Sequence, residues 1–366
     1  MTGKKTLRAA MVGLRHGHMG SIGPEKPGYI QTFKGLPDVE VVAYFEDTEP
    51  ERLAPVATVD PGANTYTSLD ELIANEDFDV AMVGLPANEV PAAGIKLAEA
   101  GKHFYMEKQF ARRADDLAEL ARVVKSTGVK VLAGYPWRFH PAMKELRSII
   151  DQGLLGRPLS IETRLVTSQV RPGSRDPGAF SYRDATQGGG ILHHLGGHHL
   201  EAMRFLMGEV KAVQAMVGRP VGHIEAPLED VAMAALEYEN GGYGTLHEGF
   251  FSPPGLSGGG DGYLAYRGLE GWAEWMPFAS YGLKVGSTSR EWRGAPIREF
   301  TYTPKPYVGY GDDDWFHNYV DDFMEDIRND REPALGVMDA LAVARVIDAI
   351  YESSRSGRRV EVEYGL

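Results

Sequence analysis

The chain has 366 residues, more than one core of ordinary size accommodates, so two domains are expected. Its 43% hydrophobic and 24% charged content excludes extensive disorder. The formal charge of −13 excludes a general nucleic-acid surface, and the absence of cysteine excludes disulfides, thiolate zinc sites and cysteine nucleophiles.

In chain order, Leu7–Val12 reads as a first strand. What precedes it, including Lys4 and Lys5, lacks the long apolar region and small-residue cleavage site of a secretory signal. Further strands are expected at Val39–Phe45, Phe78–Leu85, His103–Met106 and Val129–Ala133. Amphipathic helical stretches, Ser68–Ala74, Val90–Ala100 and Ala114–Thr127, lie among them, with Gly101 and Gly128 as helix ends. Apolar strands alternating with helices predict a parallel sheet covered on both faces, a βαβ domain over residues 1–134. The texture then changes. A helix at Met143–Gln152, a strand at Leu159–Val166, a polar loop at 171–190 and a helix at Ile191–Met207 lead into strands at Val210–Val217, Val231–Tyr238, Tyr243–Phe251 and Glu299–Tyr302. A Gly-rich loop is expected at Gly255–Gly262, and an aromatic-rich loop at Tyr263–Trp275 and the segment Tyr302–Tyr310 are expected to line a cleft or a subunit contact. Helices at Asp314–Arg328 and Val337–Ser354 and a strand at Arg359–Tyr364 close the chain. Consecutive strands flanked by helices predict an α+β domain over 135–366 with a mostly antiparallel open sheet. No segment approaches the roughly 20 apolar residues of a membrane span.

The turn after the first strand holds Gly13, Arg15, His16, Gly17, His18, Met19 and Gly20. A glycine-rich turn here lets backbone N–H groups approach a pyrophosphate, with the dipole of the following helix favouring its charge. Counted from Gly13, the GxGxxG pattern puts Arg15 and His18 where its later glycines belong, and an ordinary ligand-free βα turn is the competing reading. Glu46 and Asp47 end the second strand, where a carboxylate can bind ribose hydroxyls and repel a 2′-phosphate, favouring NAD over NADP; a solvated turn is the alternative. The spacing exceeds the usual roughly 20 residues, and the insertion Ser21–Gly28 accounts for it.

Several stretches, taken in order, resemble one family. They are Tyr66–Leu72, Val83–Asn88, Glu99–Gln109, Tyr135–Pro141, Gly153–Pro158, Gly188–His198 and the closing run from Glu332-Pro333 to Gly357–Val360. The chain is similar over its whole length to the glucose-fructose oxidoreductase / inositol dehydrogenase / rhizopine-catabolism family. The resemblance implies an NAD-binding Rossmann domain, with Pro86, Asn88 and Glu107 beside the cofactor, and a C-terminal open sheet forming the substrate cleft. It implies a Glu-Lys-Pro motif whose lysine lies near the nicotinamide and the reacting oxygen. That lysine is Lys108, with Gln109 in place of proline. A cation there stabilises the charge that builds during hydride transfer. The family's Asp and His four residues apart fall on His194 and His198, so His198 keeps the proton-transfer residue and His194 departs from the carboxylate. Arg138 is taken as a cofactor contact, with interdomain packing as the other reading of its motif.

The run His193, His194, His198 and His199 also has a metal-binding spacing, which would need a third ligand such as Glu201, His247 or Glu248; the expectation is no metal. The resulting expectation is a cytoplasmic NAD-dependent dehydrogenase or reductase acting on a sugar, inositol or related polyhydroxy or keto compound. Its partners are a small-molecule substrate and further copies of itself, as a dimer or tetramer, with no membrane or nucleic acid. Two alternatives stand beside it. One is tightly bound NAD used for transient oxidation in elimination or glycoside cleavage; the other is a non-catalytic dinucleotide sensor.

Overall fold

The computed structural model describes residues 5–169, 189–222, 228–253, 261–277, 282–303, 309–310 and 314–366. The expected loops at 171–190 and Gly255–Gly262 lie largely outside these residues, as does the middle of Tyr302–Tyr310.

The first sheet contains β1 (Leu7–Val12), β2 (Val39–Phe45), β3 (Asn64–Tyr66), β4 (Val80–Val83), β5 (His103–Met106) and β6 (Val131–Ala133) in the order β3-β2-β1-β4-β5-β6. Every pairing is parallel. β4 is buried throughout, as a parallel strand covered on both faces must be. The helices around it are α1 (Tyr29–Gly35), α2 (Val56–Val59), α3 (Leu69–Asn75), α4 (Val90–Glu99) and α5 (Ala114–Thr127). Gly128 ends α5 at φ 75°, the left-handed geometry that glycine adopts without strain.

The turn after β1 differs from expectation, because no helix starts beside the glycines. A single 3₁₀ turn, Gly17–Met19, is followed by the Ser21–Gly28 insertion, and α1 begins only at Tyr29. The insertion folds back until Gly28 lies against the backbone of Met19 and Gly20. A Cβ on Gly28 would come within 2.4 Å of the Gly20 nitrogen.

After α6 (Pro141–Asp151) the second sheet is assembled from β7 (Pro158–Val166), β8 (Val210–Gly218), β9 (Val231–Tyr238), β10 (Tyr243–Gly249), β11 (Asp261–Gly268), β12 (Gly271–Trp275), β13 (Leu283–Ser287), β14 (Ile297–Phe300) and β15 (Val360–Glu361). Their order is β14-β13-β12-β11-β7-β10-β9-β8-β15, antiparallel except for the β7–β10 pair. The aromatic stretch Tyr263–Trp275 is therefore not a loop but most of the β11–β12 hairpin, in which Leu264, Tyr266 and Trp275 are buried. Alternate residues of β8 to β10 are exposed, leaving Met216, Met233 and Tyr243 on an open face.

α7 (Gly197–Met207) is entered through a π-helical turn, Leu192–Gly196, so the helix expected from Ile191 is not uniform. α8 (Asp314–Arg328) and α9 (Val337–Ser356) complete the fold. α9 packs on both α5 and β8, and its Asp348 accepts the Ala114 N–H at the start of α5. This helix joins the two sheets. Among the described residues, no helix is long and apolar enough to cross a membrane.

Candidate active site at the edge of the Rossmann sheet

In the first sheet β1 lies between β2 and β4, so the chain runs outward in opposite directions from this point. Such a switch point leaves a crevice at the carboxyl ends of the strands. The loops that meet there carry the residues singled out in the sequence. Gly13 has φ 88°, and its N–H donates to Phe45 O at 2.9 Å. Glu46 is fully buried: its carboxylate accepts the Leu14 N–H at 2.8 Å and the Thr48 N–H at 3.1 Å. Arg15 crosses this corner, with Nε 3.0 Å from Glu46 and Nη2 3.5 Å from Asp47 and 2.5 Å from Glu89. Met19 is buried beneath Gly84, whose missing side chain leaves room for the Met19 sulfur. Pro86 accepts the Glu89 and Val90 amides in the turn into α4, and Asn88 is exposed beside it.

Beyond β5 come Glu107, Lys108 and Gln109, all buried. The Lys108–Gln109 peptide is cis. Lys108 Nζ reaches the His194 carbonyl oxygen at 3.4 Å, bringing the two parts of the chain together. The His194 ring lies 3.4 Å from the Gln169 amide nitrogen. His198 stands parallel to Trp137, with ring centroids 6.1 Å apart, and edge-on to Tyr135. Burial, and then the charge of Lys108, hold both His194 and His198 well below the ordinary imidazole range. Both are therefore neutral imidazoles at neutral pH. His198 Nδ1 and Gln109 Nε2 are buried with no hydrogen-bond partner among the described residues. Polar atoms so placed are suited to a bound ligand.

A set of side chains distant from one another in sequence backs this site. Glu107 Oε1 lies 2.5 Å from His18 Nδ1, and its Oε2 accepts from the Tyr105 hydroxyl at 3.0 Å. Tyr105, Tyr29 and Tyr319 form a closed triangle of hydroxyls, with separations of 2.5, 2.7 and 2.7 Å. Burial raises Glu107 above the usual carboxylate range, against the opposing pull of His16, Lys108 and Tyr105. The tyrosines come from α1, β5 and α8, and no local spacing signals their meeting.

Residues 7–135 match the NAD-binding Rossmann fold of the oxidoreductase family anticipated above, and residues 147–362 match its C-terminal alpha/beta domain. The chain belongs to the glucose-fructose oxidoreductase / inositol dehydrogenase / rhizopine-catabolism family. Levoglucosan dehydrogenase of Pseudarthrobacter phenanthrenivorans is 27% identical over 60% of this chain and 54% of its own length. The 2,7-anhydro-N-acetylneuraminate hydratase of Escherichia coli (strain K12) is 26% identical over 50% of this chain and 49% of its own. This chain thus spans about half the length of these curated relatives. Among solved structures, levoglucosan dehydrogenase in complex with NADH and levoglucosan superposes with a TM-score of 0.83 at 21% identity, over 98% of this chain and 99% of that one. The aldose-aldose oxidoreductase of Caulobacter crescentus gives 0.77 at 25% identity, over 98% and 100%.

Arg138 is engaged within the protein: its Nε donates to Glu201 at 2.5 Å and its Nη1 to Ala334 O at 2.6 Å. The buried Glu201 carboxylate holds the guanidinium and the Phe205 ring covers it, a clamp between the start of the second domain, α7 and the segment before α9 that fits the packing reading of this motif. Glu201 is thereby engaged, and Glu248 pairs with His199. His247, beside Met216 and Met233, faces the other side of the second sheet. Among the described residues, the His/carboxylate trio with donor atoms within 4.8 Å of one another is His16, His18 and Glu107. The His18–Glu107 contact at 2.5 Å has hydrogen-bond length, and His16 Nδ1 accepts the His18 N–H.

Proposed function

We propose that the protein is an NAD-dependent oxidoreductase that moves a hydride between the nicotinamide and a sugar, inositol or related polyhydroxy or keto compound. The observation that carries this reading is the buried Lys108 after β5 of an NAD-binding domain, against the His194 carbonyl in the turn that leads to His198, whose Nδ1 is buried and open. The loop from Gly13 to Gly20 and the turn at Pro86 and Asn88 would hold the dinucleotide, which supplies the hydride acceptor. Lys108 stabilises negative charge on the reacting oxygen. His198 hydrogen-bonds the reacting hydroxyl and exchanges its proton, while His194 and Gln109 shape the pocket. Arg15 is already surrounded by Glu46, Asp47 and Glu89, which supports NAD over NADP. No metal takes part in this reading, so activity is expected to survive exhaustive chelation. The open apolar face at Met216, Met233 and Tyr243 supports a homo-oligomer.

The test is NADH formation by the purified protein with NAD and a panel of sugars and cyclitols, among them levoglucosan, D-glucose and myo-inositol. Net NADH with at least one of them supports the reading. A second reading draws on the 2,7-anhydro-N-acetylneuraminate hydratase relative: NAD stays bound and is oxidised and reduced within one turnover. Substrate consumption with no net NADH, by protein that retains its cofactor, favours that reading.

A further inference from the structure

The proposed reaction engages one substrate oxygen with Lys108 and His198, and a polyhydroxy substrate brings others that need partners of their own. The residue after Lys108 offers one. Gln109 is 6% exposed, and the backbone fixes which way its amide points: the Gly189 N–H, which can only donate, meets Oε1 at 3.4 Å. The opposite end of the planar amide is then its NH2 group, a donor. Among the described residues, that Nε2 is buried with no hydrogen-bond partner. A buried donor left unmet costs more than a typical hydrogen bond returns, so one that persists in a site is explained by the ligand that meets it.

Lys108, Gln109 and Phe110 line one seam between the two parts of the chain. Lys108 reaches across it to the His194 carbonyl oxygen, and Gln109 to the Gly189 N–H. Phe110 packs edge-on to Tyr135 with ring centroids 4.8 Å apart, and Tyr135 stands edge-on to His198 at 5.4 Å. A Cβ on Gly197 would come within 2.5 Å of the Tyr135 hydroxyl, so the glycine lets this ring close against the start of α7. The far wall of the seam is therefore the run from Gly189 to His198, which also carries the open Nδ1 of His198.

We infer that Gln109 is a specificity-determining residue of this site, whose side-chain NH2 donates to a second hydroxyl oxygen of the substrate. The inference rests on the dehydrogenase reading. With Oε1 taken by Gly189, the amide offers donors alone, so it selects compounds that place an oxygen lone pair at this point. The proline that the family motif has here carries no side-chain donor and makes no such contact. Gln109 takes no part in hydride or proton transfer. Its bond is made in the bound substrate and in the transition state alike, and its loss is expected in KM rather than in kcat.

The test uses the parent, Gln109→Met, which keeps the length and removes the amide, and Gln109→Pro, which restores the family residue should Gln109→Met fail to fold. Steady-state kinetics are measured with NAD and whichever of levoglucosan, D-glucose and myo-inositol is turned over, together with the monodeoxy analogues of that compound. Either variant should raise KM about tenfold, with kcat and NADH affinity within a few-fold of the parent. One monodeoxy analogue should show the same rise with the parent and no further rise with the variant, because the bond lost is the same. In parallel, nitrogen-15 NMR follows the side-chain amide of Gln109 in the parent bound to NADH, where no hydride can leave an alcohol. Its signals, identified by their loss in the variant, should shift when one of the compounds is added.

An unchanged KM, no analogue coupled to the substitution, or amide signals unmoved by a compound that is turned over overturns the inference. So does a fall in NADH affinity in place of the rise in KM, which assigns the donor to the cofactor. A parent that forms no NADH with any of these compounds, while its Gln109 signals shift with one of them, overturns the dehydrogenase reading and leaves the Gln109 contact supported. Neither turnover nor a shift across the panel overturns both.

Discussion

Arg15 Nε stands 3.0 Å from Oε1 of Glu46, and both side chains are buried where β1 and β2 end. The guanidinium also meets Asp47 and Glu89, so several carboxylates outweigh its charge. A 2′-phosphate entering this corner meets net negative charge. Fluorescence titration should show NADH binding at least about tenfold more tightly than NADPH, or about 1.4 kcal/mol. Glu89→Gln with Asp47→Asn should release Arg15 and narrow that gap. Equal binding of the two cofactors by the parent would refute the assignment.

Lys108→Met keeps most of the side-chain length and removes the ammonium. The chemical step is expected to slow by roughly 100-fold or more, with NADH affinity little changed. Single-turnover rates separate the two quantities. A rate within a few-fold of the parent would remove Lys108 from the chemistry.

Arg138 should behave as a structural residue. In Arg138→Met the Glu201 carboxylate, fully buried, loses its partner. Breaking such a pair from one side costs about 3 kcal/mol or more, which urea unfolding will show as a lower midpoint at unchanged slope. NADH affinity of the folded variant should stay near that of the parent. A large loss of affinity without a loss of stability would restore the cofactor contact.

The buried histidine His198 makes stability depend on pH. Its folded-state pKa lies below the ordinary 6.5, so as pH falls past that value the unfolded chain takes up a proton that the folded chain refuses. Stability from this group is complete above pH 6.5 and falls by about 1.4 kcal/mol per pH unit below it. The measurement is urea unfolding from pH 7.5 to 5 for the parent and His198→Gln. The difference between the two cancels the opposite contribution of buried carboxylates such as Glu248, whose pKa is raised. A variant whose stability falls with acid as steeply as that of the parent would show that His198 is not buried in its neutral form.

The Rossmann domain was legible in the sequence because its strands are continuous apolar runs and its helices end in glycines, both local signals. Lys108 was singled out by the ordered motifs around it, and the fold buries it against the His194 carbonyl. Strands β11 to β13 were not, because their glycines and scattered aromatics give no clean alternation, and β11 pairs with β7 about a hundred residues away. The same distance in sequence hid the chemistry of the site. Arg138 was assigned by its motif, but Glu201, on a helix that packs against it, decides where the guanidinium points. His18 and Glu107 are 89 residues apart and follow β1 and β5. Their loops meet because β1 and β5 both run parallel to β4, placing their carboxyl ends on one edge of the sheet. Residue types and strand periods are local and are written in the sequence, whereas the pairing of an imidazole with a carboxylate depends on strand order, which only the packed structure sets.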